Sequence, residues 1–207
     1  MERFVQPANA HAALVLTHGA GSNADAPLLV ALSAALADQG WAVLRINLAF
    51  RQQRPTGPPH PSGAAADRAS LATAIASLSA ATGLPLFAGG HSYGGRQATM
   101  LATMLAAEQP ALLPALLPTR LRGLLILSYP LHPPAQPAKL RTGHLPLLIT
   151  PTLFVSGTRD DFGTPSELAQ ALSPHELVLL EGMGHSLPPK AATRIAEAWV
   201  QFSGKLV

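Results

Sequence analysis

Short apolar runs of strand length alternate with longer helical patterns almost from the start of this chain, and that alternation decides its architecture. Ala12–Thr17 (AALVLT), Trp41–Leu48 (WAVLRINL), Leu84–Ala88 (LPLFA), Gly123–Ser128 (GLLILS), Pro151–Ser156 (PTLFVS) and Glu176–Leu180 (ELVLL) read as strands. Continuous apolar runs bounded by glycine, proline and polar residues suit strands buried on both faces. Between them, Pro27–Asp38 repeats leucine at 28, 32 and 36, and Ala64–Thr82 sets Leu71, Ile75 and Leu78 on one face. Gly40 and Gly83 stop these two helices, while Gly94–Glu108, Ser166–Leu172 and Lys190–Phe202 supply further helical patterns. Such alternation predicts a doubly wound, mainly parallel α/β sheet with helices on both faces. Arg3–Val5 is a candidate extra edge strand, and Arg51–Gly63 and Tyr129–Thr150 read as loops. The three prolines of Pro110–Pro118 (PALLPALLP) disfavour a regular helix, so that segment reads as a packed connector in preference to an exposed apolar patch. With no composition break and no internal repeat, residues 1–207 read as a single domain.

Composition removes several classes of function. The hydrophobic share is 48% and the charged share 12%, which excludes a disordered chain. Cysteine is absent, which rules out disulfides, thiolate metal sites and a cysteine nucleophile together. The net charge is +3, but the arginines are scattered singly, so nucleic acid is not an expected partner. No uninterrupted apolar stretch reaches membrane-spanning length and no secretory pattern follows Met1, so no membrane partner and a cytoplasmic location are expected.

In a doubly wound sheet the ligand crevice lies at the carboxyl ends of the strands, so the residues just after each strand carry the chemistry. After the third comes Gly90-His91-Ser92-Tyr93-Gly94, a G-x-S-x-G between a strand and a helical pattern. That context suits a nucleophile elbow, in which a strained turn pushes the serine hydroxyl out of the sheet. An ordinary strand-to-helix loop with incidental glycines is the plainer alternative.

A serine hydroxyl needs a base that is itself oriented by a third group. Of the eight histidines, only His175 and His185 follow the acid candidates. His175 precedes the last strand and falls at the wrong edge; His185 follows it in a Gly-Met-Gly-His turn. Asp160 sits directly off the fifth strand, and Asp161 one step further into the loop, where it caps or is solvated. Order and placement select Ser92, His185 and Asp160. The oxyanion donors expected are the backbone amides of Tyr93 and of Ala20 in His18-Gly19-Ala20-Gly21, with Gly21 in reserve. His18 and His91 are expected to pack or bond locally.

HGAGS (His18–Ser22), GGHSYGGR (Gly89–Arg96), SYPLHPP (Ser128–Pro134), PTLFVSGTRDDFG (Pro151–Gly163) and GMGHS (Gly182–Ser186) together resemble a small serine α/β-hydrolase of the dienelactone-hydrolase-like group. The resemblance spans about residues 12–202. It implies Ser92 as nucleophile, His185 as base, Asp160 as acid, and the amides of Ala20 and Tyr93 as oxyanion donors; no metal and no cofactor are expected. Dienelactone hydrolase itself carries cysteine at the elbow, so lactone specificity does not transfer. His132, Arg141 and His144 fall in the family-like loop without an assigned role.

Two rival readings stand beside this one. Gly19-Ala20-Gly21-Ser22-Asn23-Ala24 matches a dinucleotide fingerprint, with Arg45 and Arg51 as an NADP-type substitute for the acidic ribose ligand. The other rival is a non-catalytic interaction module on the same fold. The preferred expectation is an enzyme acting on small ester-type substrates, of carboxylesterase or thioesterase type. Tyr129–Thr150, stiffened by Pro130, Pro133, Pro134 and Pro137, is too short for a four-helix cap, which favours short acyl groups. Oligomeric state is not legible.

Overall fold

The computed structural model describes residues 3–107 and 121–206. The chain runs β1 (Phe4–Val5), β2 (Ala12–Thr17), α1 (Pro27–Ala37), β3 (Trp41–Ile46), α2 (Ala49–Gln53), α3 (Ala64–Thr82), β4 (Leu86–His91), α4 (Tyr93–Ala106), β5 (Gly123–Leu127), β6 (Thr152–Gly157), α5 (Pro165–Leu172), β7 (Glu176–Leu180) and α6 (Ala192–Ser203). The strands form one seven-stranded sheet in the order β1-β3-β2-β4-β5-β6-β7. All pairs are parallel except the two-residue β1, which runs antiparallel to β3.

Period-two alternation along buried strands splits the core into two layers. Ala13 and Val15 of β2 belong to the layer on the α3 side, which also holds Leu71 and Ile75 of α3, Leu101 of α4 and Leu168 of α5. Leu14 and Leu16 face the other way, onto Leu29 and Leu32 of α1 and Ile195 and Trp199 of α6. Trp41, Phe87 and Trp199 meet edge to face there, with centroids 5.0 to 5.4 Å apart. Aromatic pairs in that geometry add about 0.5–1.5 kcal/mol each beyond their buried area. They fix α6, and with it the turn that follows β7.

The chain winds from β2 outward to β3, then crosses back to place β4 on the other side of β2. The switch point therefore lies between the carboxyl ends of β2 and β4, where a crevice must open.

Most elements match the sequence reading, with informative shifts. β4 continues past Ala88 through Gly89 and Gly90 to His91, because the glycines let it lie close to its neighbours. A β-carbon on Gly90 would collide with the Thr17 side chain of β2, and one on Gly94 with the same hydroxyl and the His18 carbonyl. Part of the segment read as a loop from Arg51 is helical, since α2 covers Ala49–Gln53. Between β5 and β6 only a 3₁₀ turn, Leu145–Leu147, interrupts the loop, so no cap domain is inserted there. The segment Pro110–Pro118 lies outside the described residues.

Candidate active site

Ser92 joins β4 to α4 with φ 51° and ψ −116°. A side chain is rarely held in the left-handed half of the map, and such strain costs of order 1–3 kcal/mol unless the surroundings impose it. Here they do: the Ser92 amide donates to the Leu127 carbonyl at 2.8 Å, and Gly90 and Gly94 allow β2 to pack against the turn.

The turn after β7 brings His185 over the elbow. Its Nε2 lies 2.7 Å from Ser92 Oγ, and its Nδ1 lies 2.9 Å from both carboxylate oxygens of Asp160. A carboxylate only accepts, so Nδ1 carries the proton and Nε2 is left to accept from the serine. The Asp160 side chain is 1% exposed and takes a second bond, 2.8 Å, from the Phe162 amide. Asp161 is exposed. The three residues selected from sequence are thus within hydrogen-bond reach in the order serine, histidine, aspartate. His175 sits at the amino end of β7 against the Phe154 ring, away from the elbow.

His18 and His91 hold the two flanking loops. His18, wholly buried, donates from Nδ1 to the Gly19 carbonyl at 2.8 Å and accepts at Nε2 from the Leu48 amide at 3.2 Å. Burial lowers its pKa, in keeping with a neutral ring. His91 donates from Nε2 to the His185 carbonyl at 2.8 Å, and burial pushes its pKa down to about 4. Neither ring bonds to Ser92.

The Gly19 carbonyl also accepts from the Ser22 amide at 3.1 Å, closing a turn over Gly19–Ser22. A trans peptide sets its N–H opposite its C=O, so this carbonyl fixes where the Ala20 amide points. The Tyr93 amide is in the first turn of α4 and so has no partner within that helix. Tyr93 is tied from its other end, where its hydroxyl donates to the buried Asp67 at 2.7 Å.

Sequence reasoning missed several participants. Phe162 stacks on the His185 ring, centroids 4.0 Å apart and planes 27° from parallel. Thr17 donates to the Gly89 carbonyl at 3.1 Å and packs beneath the elbow. Asp67 accepts from Phe50 N and Tyr93 Oη. Only the place of Phe162, two residues past Asp160, offered any signal. The loop residues without a sequence role brace the loop. His144 Nε2 meets Thr99 Oγ1 at 2.8 Å, and His132 Nδ1 donates to the Pro133 carbonyl at 2.9 Å. The Arg141 carbonyl accepts from Tyr129 Oη at 2.6 Å.

The dinucleotide alternative loses its ligands in this arrangement. Arg51 and Arg45 turn inward onto carbonyls of the loop after β2, and Asn47 accepts from the Ala24 amide. Among the described residues, no group of three or more His, Cys, Asp or Glu is placed to hold a metal ion, and no helix is long and apolar enough to cross a membrane.

Residues 10–200 match the alpha/beta hydrolase domain family. Solved structures with the same fold include a dienelactone hydrolase from Anabaena variabilis, 21% identical over 99% of this chain and 90% of that one, with a TM-score of 0.68. An alpha-beta serine hydrolase homologue from Coxiella burnetii is 16% identical over 99% and 90%, with a TM-score of 0.65. The esterase domain of a Rhodothermus marinus protein is 18% identical over 98% and 91%, with a TM-score of 0.67. At these identities the likeness is one of fold. The family match runs over nearly the whole chain and takes in both sides of the switch-point crevice, and on that ground this protein belongs to the alpha/beta hydrolase family.

Proposed function

We propose that the protein is a serine hydrolase acting on small ester-type substrates, oxygen esters or thioesters, with Ser92, His185 and Asp160 as its triad. The observation that carries this reading is the 2.7 Å contact of Ser92 Oγ with His185 Nε2, backed by Asp160 at 2.9 Å from Nδ1.

In the first step Ser92 Oγ attacks the substrate carbonyl carbon as His185 Nε2 takes its proton. The carbonyl π pair moves onto oxygen, where the amides of Ala20 and Tyr93 receive it. Collapse expels the alcohol or thiol, which takes the proton from His185, and leaves an acyl-serine. Water repeats the sequence and frees the acid. Asp160 stabilises the imidazolium and fixes its tautomer, and the Phe162 ring restricts the imidazole on its face.

A cavity of about 340 Å³ lies beside this centre, lined by Gly19, His91 and Ser186 and by the apolar Leu28, Leu187 and Pro188. Its lining suits an apolar substituent, and the absence of a cap between β5 and β6 favours a short one. A fluorophosphonate probe, which phosphonylates an activated serine, tests the reading: one adduct is expected, on the peptide bearing Ser92. Absence of that adduct under conditions that label a known serine esterase would refute it.

A further inference from the structure

Arg51 has no place in the triad, yet no side chain near the site makes more bonds. It lies in the one-and-a-half turns of α2, is 6% exposed, and its guanidinium gathers four backbone carbonyls. Nε donates to Ser22 O at 2.7 Å and Nη2 to Ala20 O at 2.9 Å, both in the loop after β2. Nη2 also donates to Gly57 O at 3.0 Å and Nη1 to Arg54 O at 3.2 Å, in the loop after α2. Among the described residues no carboxylate pairs with it. A buried cation so placed must be held by carbonyl dipoles, and a planar fork of five N–H groups can serve several at once.

The turn over Gly19–Ser22 makes the Ala20 contact consequential. Its central peptide, Ala20–Gly21, can face either way: the two orientations are type I and type II turns, and glycine at the third position opens the second. Gly21 nevertheless lies outside the left-handed region that type II requires. Reaching it would swing the Ala20 carbonyl through about half a turn, away from Arg51. The bond to Nη2 therefore selects one state of a turn whose sequence permits two.

We propose that Arg51 is the positioning residue of the oxyanion loop: its guanidinium holds the Ala20 carbonyl and with it the Ala20–Gly21 peptide, so that the turn carrying the Ala20 amide is fixed in one of its two states. The inference rests on the hydrolase reading above. His18 secures the preceding peptide through Gly19, and Arg51 secures the next one, so the turn is held at both of its inner carbonyls. The Arg54–Gly57 segment is tied to the same cation, which makes the loop after α2 an outer brace of the site.

Arg51→Met and Arg51→Lys in the full chain test this, with p-nitrophenyl butyrate as substrate and an aliphatic trifluoromethyl ketone as inhibitor. The ketone adds Ser92 Oγ at its carbonyl carbon, passes the serine proton to His185 and leaves a tetrahedral oxyanion, so its affinity reports the oxyanion site. Removing an oxyanion donor outright costs roughly 10²–10³ in kcat. A misplaced loop should cost Arg51→Met roughly 10–100-fold in kcat, with KM within about three-fold and ketone affinity falling in step with kcat/KM. Arg51→Lys, a point charge without the fork, should fall between. Folded variants with wild-type kcat and ketone affinity would overturn the proposal, as would a loss confined to KM. If Arg51→Met does not fold, Arg51→Lys decides alone on the same criteria. Full activity in Ser92→Ala would instead sink the hydrolase reading, and this inference with it, whatever the Arg51 variants do.

Discussion

At the scale of single residues the site divides into groups whose chemistry sequence can announce and groups it cannot. Ser92, Asp160 and His185 were legible as a candidate triad because nucleophilic catalysis needs those residue types and an α/β-hydrolase sheet places them in that chain order, each just beyond a strand end. Arg51 and Asp67 were not, because most of their partners are backbone groups, which no residue letter marks. The adjacent aspartates give a sharp prediction. Asp160→Asn removes the acceptor that fixes the His185 tautomer, and kcat should drop by roughly 10³–10⁴. Asp161 is exposed, so Asp161→Asn should change kcat by several-fold at most. Parallel kcat measurements on the two variants check this, and the reverse order would move the acid to Asp161.

At the scale of elements, the sheet was readable and its fine boundaries were not. Long buried runs such as Ala12–Thr17 carry enough apolar residues to be unmistakable. α2 is five residues long, too short to show a period, and β1 is two residues held by pairing with β3. The three residues by which β4 outran the sequence reading, Gly89, Gly90 and His91, belong to the strand because the elbow must approach β2 closely. A β-carbon at Gly94 would strike the Thr17 side chain and the His18 carbonyl, backbone that cannot give way cheaply. Gly94→Ala should therefore destabilise the fold by about 1–3 kcal/mol through overpacking and slow hydrolysis as well, because Thr17 and His18 lead into the loop that carries Ala20, the proposed oxyanion donor. Chemical denaturation and ester kinetics on one preparation would show both losses; an unaffected variant would mean the elbow has slack.

At the scale of the whole molecule, acid should unfold this protein through its buried imidazoles. Burial lowers the pKa of His18, and lowers those of His91 and His144 to about 4, against 6.5 for the free side chain. The unfolded chain then binds more protons than the native one below pH 6.5, so stability must fall as pH drops from about 6.5 towards 4. His91 alone should contribute on the order of 3 kcal/mol across that window. Denaturant midpoints measured from pH 7 to pH 4 should decline, and His91→Gln should flatten the decline; a flat wild-type profile would contradict the burial argument. The absence of a cap between β5 and β6 bears on substrate. Each buried CH₂ adds about 0.8 kcal/mol in a deep apolar site, but with only a loop and a 3₁₀ turn between β5 and β6 little of a long chain can be covered. Rates on p-nitrophenyl esters should level off by about C6, without a jump at micelle formation; a steady climb to C12 would point to a longer acyl groove.

The central claim is that the Ser92 hydroxyl, activated by His185, is the nucleophile. The most direct measurement is the hydrolysis rate of p-nitrophenyl acetate by the wild-type protein and by Ser92→Ala, each shown folded by circular dichroism. Loss of the nucleophile should leave only the residual catalysis of binding and the oxyanion site, roughly 10³–10⁴ over water, orders of magnitude below the intact triad. A Ser92→Ala protein that hydrolyses the ester at the wild-type rate would contradict the account.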